Sequence, residues 1–494
     1  MAPHRTVQAA RSSAVSKPNK PMNGDHSTRA SRGQDFNTRT NSTAITGKRQ
    51  GVHDDIDRRV KRAKANKAVN SPPTDRLHVL VFGNGESGEL GLGAEITKQS
   101  PDSAETPRLN HLLSAEQVGV TQIAVGGMHC AVLTHDGSVM TWGVNDSQAL
   151  GRDTQWTAPD DLPENMTDLN PLESTPTVVK SLDDIDGKVV QVAACDNATF
   201  ILTSLGSVYG WGTFFGNDGA FGFLKEQAAS RKQLFQTKPV RVPGLPVVKE
   251  LTAGVNHMLA LTHDGNVYSW GSGQQAELGR RIVSRRKAEA LFPRPIALPK
   301  KRVIKVFAGF NHSFAIDKHG SVWSWGLNNF GQTGHHSDEE HLHIDAPEVV
   351  ESLKDYNIQH IAGGFHHSLA CTDNGEVLAW GRCDDKQLGL DLTTIPEDNI
   401  LLDSRGCARI VTKPVKVPGL SAYYVAAGID NSFAIDEAGK VFAWGFSDNF
   451  RTGLKTDDAV ERPTPLMTKA MPGMTFSFAG CRGQFSVIAG PAKV

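Results

Sequence analysis

The chain has 494 residues, 39% of them hydrophobic, and a formal net charge of −1, a length that suits two to four ordinary domains or one large repeat domain. The near-zero total hides about +10 on residues 1–74 and about −11 on the remainder. No apolar run approaches the roughly 20 residues of a membrane span. The start MAPHRTVQAARSS has no apolar stretch of the kind a secretory signal needs, and the six cysteines include no C-x-x-C pair, which argues against a zinc site and for reduced, mostly buried thiols.

Residues 1–75 are rich in Ser, Thr, Asn, Lys and Arg, and Phe36 is their single aromatic. Such a segment cannot bury enough apolar surface to offset its chain entropy, so a disordered tail is expected. Arg58, Arg59, Lys61, Arg62 and Lys64 form a basic run within it. That pattern fits a nuclear import signal or a phosphate-contacting patch, the alternative being a solvated charge run. A basic tail on an acidic body points to nucleic acid or an import receptor as partner. Ser71-Pro72-Pro73-Thr74 marks a linker into a second domain, residues 76–490.

Past the linker the chain repeats itself. Phe82-Gly83 is followed by Trp-Gly pairs at Trp142, Trp211, Trp270, Trp325, Trp380 and Trp444, at intervals of 60, 69, 59, 55, 55 and 64 residues. Around the fourth pair, residues 306–334 read VFAGFNHSFAIDKHGSVWSWGLNNFGQTG. Each full unit predicts four short strands. The first ends at small residues such as Ala253-Gly254 and Ala308-Gly309. The second follows a His, and then come tight turns at Asp136-Gly137, Asp264-Gly265, His319-Gly320 and Asn374-Gly375, where Gly suits the positive φ of a hairpin. The third strand alternates and closes on Trp-Gly. The fourth is expected to start at Pro107, Pro176, Pro239, Pro295, Pro347, Pro414 or Pro465, because Pro cannot donate to a ladder and suits an outer edge.

Four-stranded sheets repeated around an axis make a β-propeller. The first unit has only its second half, residues 78–93 with Pro107, and residues 476–488 resemble only a first half. The expected fold is therefore all-β: a seven-bladed β-propeller of four-stranded blades, with the ring closed by N- and C-terminal half-blades. The tryptophans read as core between neighbouring blades, each contributing a few kcal/mol, at about 25 cal/mol per Å2 over some 150–250 Å2. His129, His257, His312 and His367 come from different units, so they cannot converge on one metal ion. Each is expected to be a buried imidazole tying its own blade together through backbone hydrogen bonds.

The A-G-x-x-H-s-x-a-l-t-x-d-G-x-V-x-s-W-G repeat across residues 76–490 resembles that of the regulator of chromosome condensation family; the Trp-Asp ending of WD repeats is missing. Closer likeness lies in NDSQALGRD at 145–153, in WGTFFGNDGAFG at 211–222 and in the basic tail that runs into HVLVFGNG at 78–85. The resemblance implies a nuclear, chromatin-associated guanine nucleotide exchange factor for the small GTPase Ran. It would need no cofactor and make no covalent bond. The runner-up is a propeller scaffold of the same family without exchange activity. No nucleophile-base pattern, G-x-S-x-G or G-x-x-x-x-G-K-[ST] argues for a hydrolase.

In the family a β-hairpin wedge leaves the propeller at the second of these stretches, so the implied wedge is Phe214, Phe215, Gly216, Asn217, Asp218, Gly219, Ala220 and Phe221. Other units follow Trp-Gly with a tight x-N-x-x-G-Q-L-G turn. From the residues alone, the three phenylalanines either mark a partner site, since exposed aromatics are costly, or fold back as loop packing. The resemblance also implies functional polar residues at Asp196, Asn256 and His366, with Asn329 on the same face. Asp196 lies two before the repeat-His position, which Ala198 occupies. At Asn256 the family pattern has Asp, so hydrogen bonding is kept and charge is lost. His366 should project outward beside a packed His367, and Phe485 should be a structural replacement for a His. The tail and the opposite face are implied to meet the nucleosome, both histones and DNA. The insertion with Arg280, Arg281, Arg285, Arg286 and Lys287 is the candidate contact there, the alternative being a solvated loop. The long acidic stretch 152–175 receives no assignment.

Overall fold

Six stretches of chain each fold into one antiparallel sheet, and the two ends share a seventh. The computed structural model describes residues 67–492 apart from 98, 162, 231, 232, 301, 339 and 468–472, so Arg58, Arg59, Lys61, Arg62 and Lys64 lie outside the described residues. The first blade holds Val120–Val125, His129–Thr134, Val139–Gly143 and Thr177–Val178, from the axis outward. The second spans 189–241, the third 248–295, the fourth 303–349, the fifth 358–421 and the sixth 424–465. In the seventh, Leu77–Asn84 and Ser103–Leu109 join Phe478–Cys481 and Phe485–Pro491, with Leu77 opposite Pro491 and Gly83 opposite Phe485. Neither half could bury its face alone, so this pairing of chain ends locks the ring.

Two details differ from the sequence expectation. The fifth blade has a fifth strand, Ile400–Leu402, paired outside Ala408–Ser421. The prolines lie in the outer strands, but most are not at their starts. Pro107, Pro239, Pro347 and Pro414 sit where the register with the third strand slips, and Pro465 ends its strand. A residue without an N–H is best tolerated where the ladder is already interrupted.

The six tryptophans of the Trp-Gly pairs are core, each at most 1% exposed. Each indole packs on the preceding blade, as Trp380 does on Phe314 and Trp211 on Leu133. The glycine after each Trp has φ between 92° and 137°. A Cβ there would lie 2.3–2.6 Å from the carbonyl oxygen preceding the second strand, for example 2.3 Å from that of Asn256 at Gly271, so the pair demands Gly.

The recurring histidines do bury, but they join blades rather than tying one blade to itself. The Nε2 atoms of His129, His257, His312 and His367 lie 2.8–2.9 Å from hydroxyls of Thr199, Ser313, Ser368 and Ser432, each in the next blade. Three of those hydroxyls donate back to a carbonyl of the blade that owns the imidazole: Thr199 to Ala149, Ser368 to Gln332 and Ser432 to Gln387. The indoles of Trp211, Trp380 and Trp444 donate to the same three oxygens. A hydroxyl that donates to the carbonyl must accept from the ring, so in these three clasps Nε2 carries a proton. Burial pushes the imidazole of His129 down to about 4 and those of His257, His312 and His367 to about 3.

The seven inner strands line a channel of about 680 Å3. Its two ends are unlike. On one side inner strands end, the histidine strands begin and the third strands close on Trp-Gly; on the other lie the tight hairpin turns. Residues 69–70 run along the turn side, where the Val69 and Asn70 N–H groups donate to Ser204 O and Asn70 Nδ2 to Val248 O.

Candidate functional site

The Trp-Gly side collects the polar candidates because every inner strand terminates there. The loops after these strands are hooped together by backbone bonds: Asp196 N–H to Val255 O, Val255 N–H to Phe310 O, and Phe365 N–H to Gly428 O. Side chains on this hoop form a connected train. Asp196 Oδ1 is 3.7 Å from Arg482 Nη1, and Arg482 Nη2 donates to Ala253 O at 2.7 Å. The Arg482 guanidinium lies 5.2 Å over Phe310, Phe310 meets Phe365 edge-on, and His366 sits 4.4 Å from both Phe365 and Phe330. Phe330 in turn lies under Arg382 and Arg409. Arg382 pairs with Asp384 at 2.6 Å, Asp385 at 2.7 Å and Asp430 at 3.2 Å.

Charge within this train is set by burial. Desolvation raises the Asp196 carboxyl to about 6, with the Arg482 guanidinium opposing the rise. Desolvation also lowers His366 to about 4, assisted by Arg382. His366 is therefore neutral near pH 7. It does not project into solvent; it is half-buried between two phenylalanines. Asn329 accepts from Gln332 Nε2 at 3.0 Å within its own turn.

The stretch 214–222 folds as a separate two-stranded hairpin, Phe214–Gly216 with Gly219–Gly222. The three phenylalanines have different fates. Phe214 is fully buried, stacked 6.0 Å from Phe223 and tilted against Phe200 at 5.9 Å. It is the root of the hairpin and no contact residue. Phe215 and Phe221 are half-buried, and the exposed tip is Asn217-Asp218. The hairpin leans on the third blade. Phe215 N–H donates to Asn256 Oδ1 at 2.8 Å, and Asn217 N–H to Gln274 Oε1 at 2.6 Å.

The basic insertion lies beside this hairpin, on the same side of the ring and not on the opposite face. Lys287 Nζ is 3.5 Å from Asp218 Oδ2, Lys225 pairs with Glu289 at 2.8 Å, and a Cβ on Gly222 would come 3.6 Å from Leu291. The reason is chain direction: hairpin and insertion both follow a third strand, so both start on the Trp-Gly side. Arg280 is not available to a partner either. Its Nη2 donates to the carbonyls of Ser269, Ala290 and Phe292. Arg152 does the same in the first blade, bonding Thr141 O and Leu172 O. Arg281, Arg285, Arg286 and Lys287 are exposed. The acidic stretch 152–175 covers the seam with the seventh blade, with Thr167 N–H donating to Ala94 O and Ile96 N–H to Asn165 O.

Arg482, Gln274 and Asp430 were not singled out from the sequence. Gln274 could have been, since it occupies in its turn the place Asn329 holds in the next one. Arg482 could have been too: it stands three before Phe485, where Gly309 stands three before His312, so an Arg replaces the small residue of the repeat.

A family model described as the RCC1-like domain matches residues 78–488. The chain is 42% identical over 435 residues to Protein pim1 of Schizosaccharomyces pombe, covering 87% of this chain and 77% of that protein. It is 36% identical over 431 residues to the guanine nucleotide exchange factor SRM1 of Saccharomyces cerevisiae, covering 84% and 87%. Among solved structures it is similar to Prp20p from Saccharomyces cerevisiae, described with its binding properties to Gsp1p and histones, at a TM-score of 0.76 and 35% identity over 86% of this chain and 93% of that one. A structure of Kap60 bound to yeast RCC1 (Prp20) matches with a TM-score of 0.77 and 33% identity, over 92% of this chain and 97% of that one.

Proposed function

The chain belongs to the RCC1-like domain family, and from that premise we propose that it is a guanine nucleotide exchange factor for the small GTPase Ran, acting in the nucleus on chromatin. One observation carries the reading. Among the described residues, a single tight turn after Trp-Gly is replaced by a hairpin, 214–222, and that hairpin stands beside the hoop that carries Asp196, Asn256 and His366.

An exchange factor needs no covalent chemistry. It binds the nucleotide-free GTPase more tightly than the nucleotide-bound form, and by linkage it weakens nucleotide binding by the same factor. The propeller supplies a rigid base. The tip residues Asn217 and Asp218, flanked by Phe215, Ala220 and Phe221, press on the phosphate and magnesium site of the GTPase, while Asp196 and His366 dock its surface. Asp196 serves as the charged contact and His366 as a neutral one.

The tail supplies the import signal through Arg58, Arg59, Lys61, Arg62 and Lys64 and, with Arg281, Arg285, Arg286 and Lys287, contacts the nucleosome. The phosphate part of that contact weakens with salt. Support comes from the relatives' names: an exchange factor in one, binding to Gsp1p and histones in another, and a Kap60 complex in a third.

The deciding experiment mixes the purified chain with Ran loaded with labelled GDP and excess GTP. Release well above the spontaneous rate is expected. Release at the spontaneous rate would leave the scaffold reading.

A further inference from the structure

A lone two-stranded hairpin is marginally stable in water, so something must hold 214–222 at a defined angle. Its own ladder is short and slips between Phe214 and Phe215. The outward edge of its first strand presents the N–H groups of Phe215 and Asn217, and these meet two side-chain amide oxygens of the third blade, Asn256 Oδ1 at 2.8 Å and Gln274 Oε1 at 2.6 Å. A Cβ on Gly216, between them, would lie 2.7 Å from the Gln274 amide, so the contact is close along its length.

We propose that Asn256 and Gln274 act as a two-amide brace that stands in for a neighbouring strand and sets the angle of the hairpin, which makes them positioning residues for the exchange step. The inference rests on the exchange reading for its rate consequences, though the brace itself does not. It changes what Asn256 is for. The bond to Phe215 requires an acceptor, and Asn and Asp both supply one, so the missing charge at this position is not a missing function. It also explains why two residues from different turns serve the same hairpin. Asn256 precedes the second strand of its blade and Gln274 follows the third, and the hairpin lies across both.

The test uses the full chain and reads two things: steady-state GDP release from Ran, and amide hydrogen exchange of the peptide covering 214–222. Asn256→Ala and Gln274→Ala should each lower the maximal release rate about tenfold, as misplacement of a reacting element does, while KM stays within about twofold. Both should speed amide exchange in the hairpin. Asn256→Asp and Gln274→Glu should restore the rate and the protection. If either Ala variant unfolds, the other still decides, since each removes a single exposed-edge bond. Retained hairpin protection in both Ala variants overturns the brace. An Asn256→Asp variant as slow as Asn256→Ala with protection intact also overturns it, because the residue would then act through a partner. A wild-type chain inert on Ran would defeat the exchange reading instead, and hydrogen exchange would still judge the brace.

Discussion

The seam between the fourth and fifth blades and the seam between the second and third are built by different physics. At the former, His312 Nε2 meets Ser368 Oγ, and that hydroxyl and the Trp380 indole both donate to Gln332 O in the tight turn. At the latter the His, the hydroxyl and the turn are all replaced, and only the Trp remains. Ala198 stands for the His, Met258 for the hydroxyl and the hairpin for the turn. Aromatic packing takes over: Phe200, clustered with Phe214 and Phe223 of its own blade, meets Trp270 of the third edge-on at 5.8 Å. A turn whose carbonyl is gripped by two donors from the next blade cannot stand away from the ring. The hairpin can, because no hydroxyl and indole pair grips one of its carbonyls; its polar contacts to the third blade are two edge N–H groups meeting the Asn256 and Gln274 amide oxygens. The same complementarity recurs where the ring closes: Phe485 occupies the His position and Cys130 the hydroxyl position opposite, both buried.

The comparison can be broken most severely at Phe214. Phe214→Ala should lower unfolding free energy by about 3–5 kcal/mol, the cost of a large core cavity, while Phe215→Ala should cost under about 1 kcal/mol and slow exchange. Denaturant unfolding of the two variants measures the contrast, and equal costs would mean that the hairpin has no buried root. At the polar seam, Ser368→Ala strands a buried imidazole N–H and should cost about 1–3 kcal/mol. Ser368→Thr should recover most of it, because Thr199 already plays that part in the second blade.

Acid sharpens the same contrast. The four clasp imidazoles hold folded pKa values of about 3 to 4, below the usual 6.5. The unfolded chain therefore takes up protons that the folded one refuses, and stability should fall as pH drops from about 6.5 toward 4. Replacing His312 with Asn should flatten that slope by up to one proton, read from unfolding free energies at stepped pH. Exchange should have its own acid limb near pH 6 from Asp196. In Arg482→Met the carboxylate loses its opposing charge, and the limb should move to higher pH. The smallest effect belongs to Lys287, whose partner Asp218 is 88% exposed. Lys287→Ala should change stability by under about 0.5 kcal/mol.

Much of the ring was legible because its marks are local and repeated. Glycine after Trp, Gly in the hairpin turns and the half-units at 77–109 and 478–491 each report a backbone demand that recurs blade after blade, so pattern alone led to seven blades. Even the side on which the basic insertion lies was readable in principle, since it follows a Trp-Gly as the hairpin does. The partners of His129 and His312 were not readable, because each bonds a hydroxyl some 56–70 residues further on. Nor was the burial of Phe214, whose core cluster joins Phe200 and Phe223 of its own blade to Leu251 and Trp270 of the third.

The amino-acid sequence by itself thus determined the architecture, the closure by chain ends and the place where the repeat is abandoned, since periodic spacing and turn chemistry act within a few residues. Tertiary structure decided which phenylalanine roots the hairpin, that Asn256 and Gln274 brace it, that Arg280 serves the fold, and that Arg482 faces Asp196. Those outcomes depend on distances between blades and on how the insertions fold back on their own blade, which sequence separation does not encode.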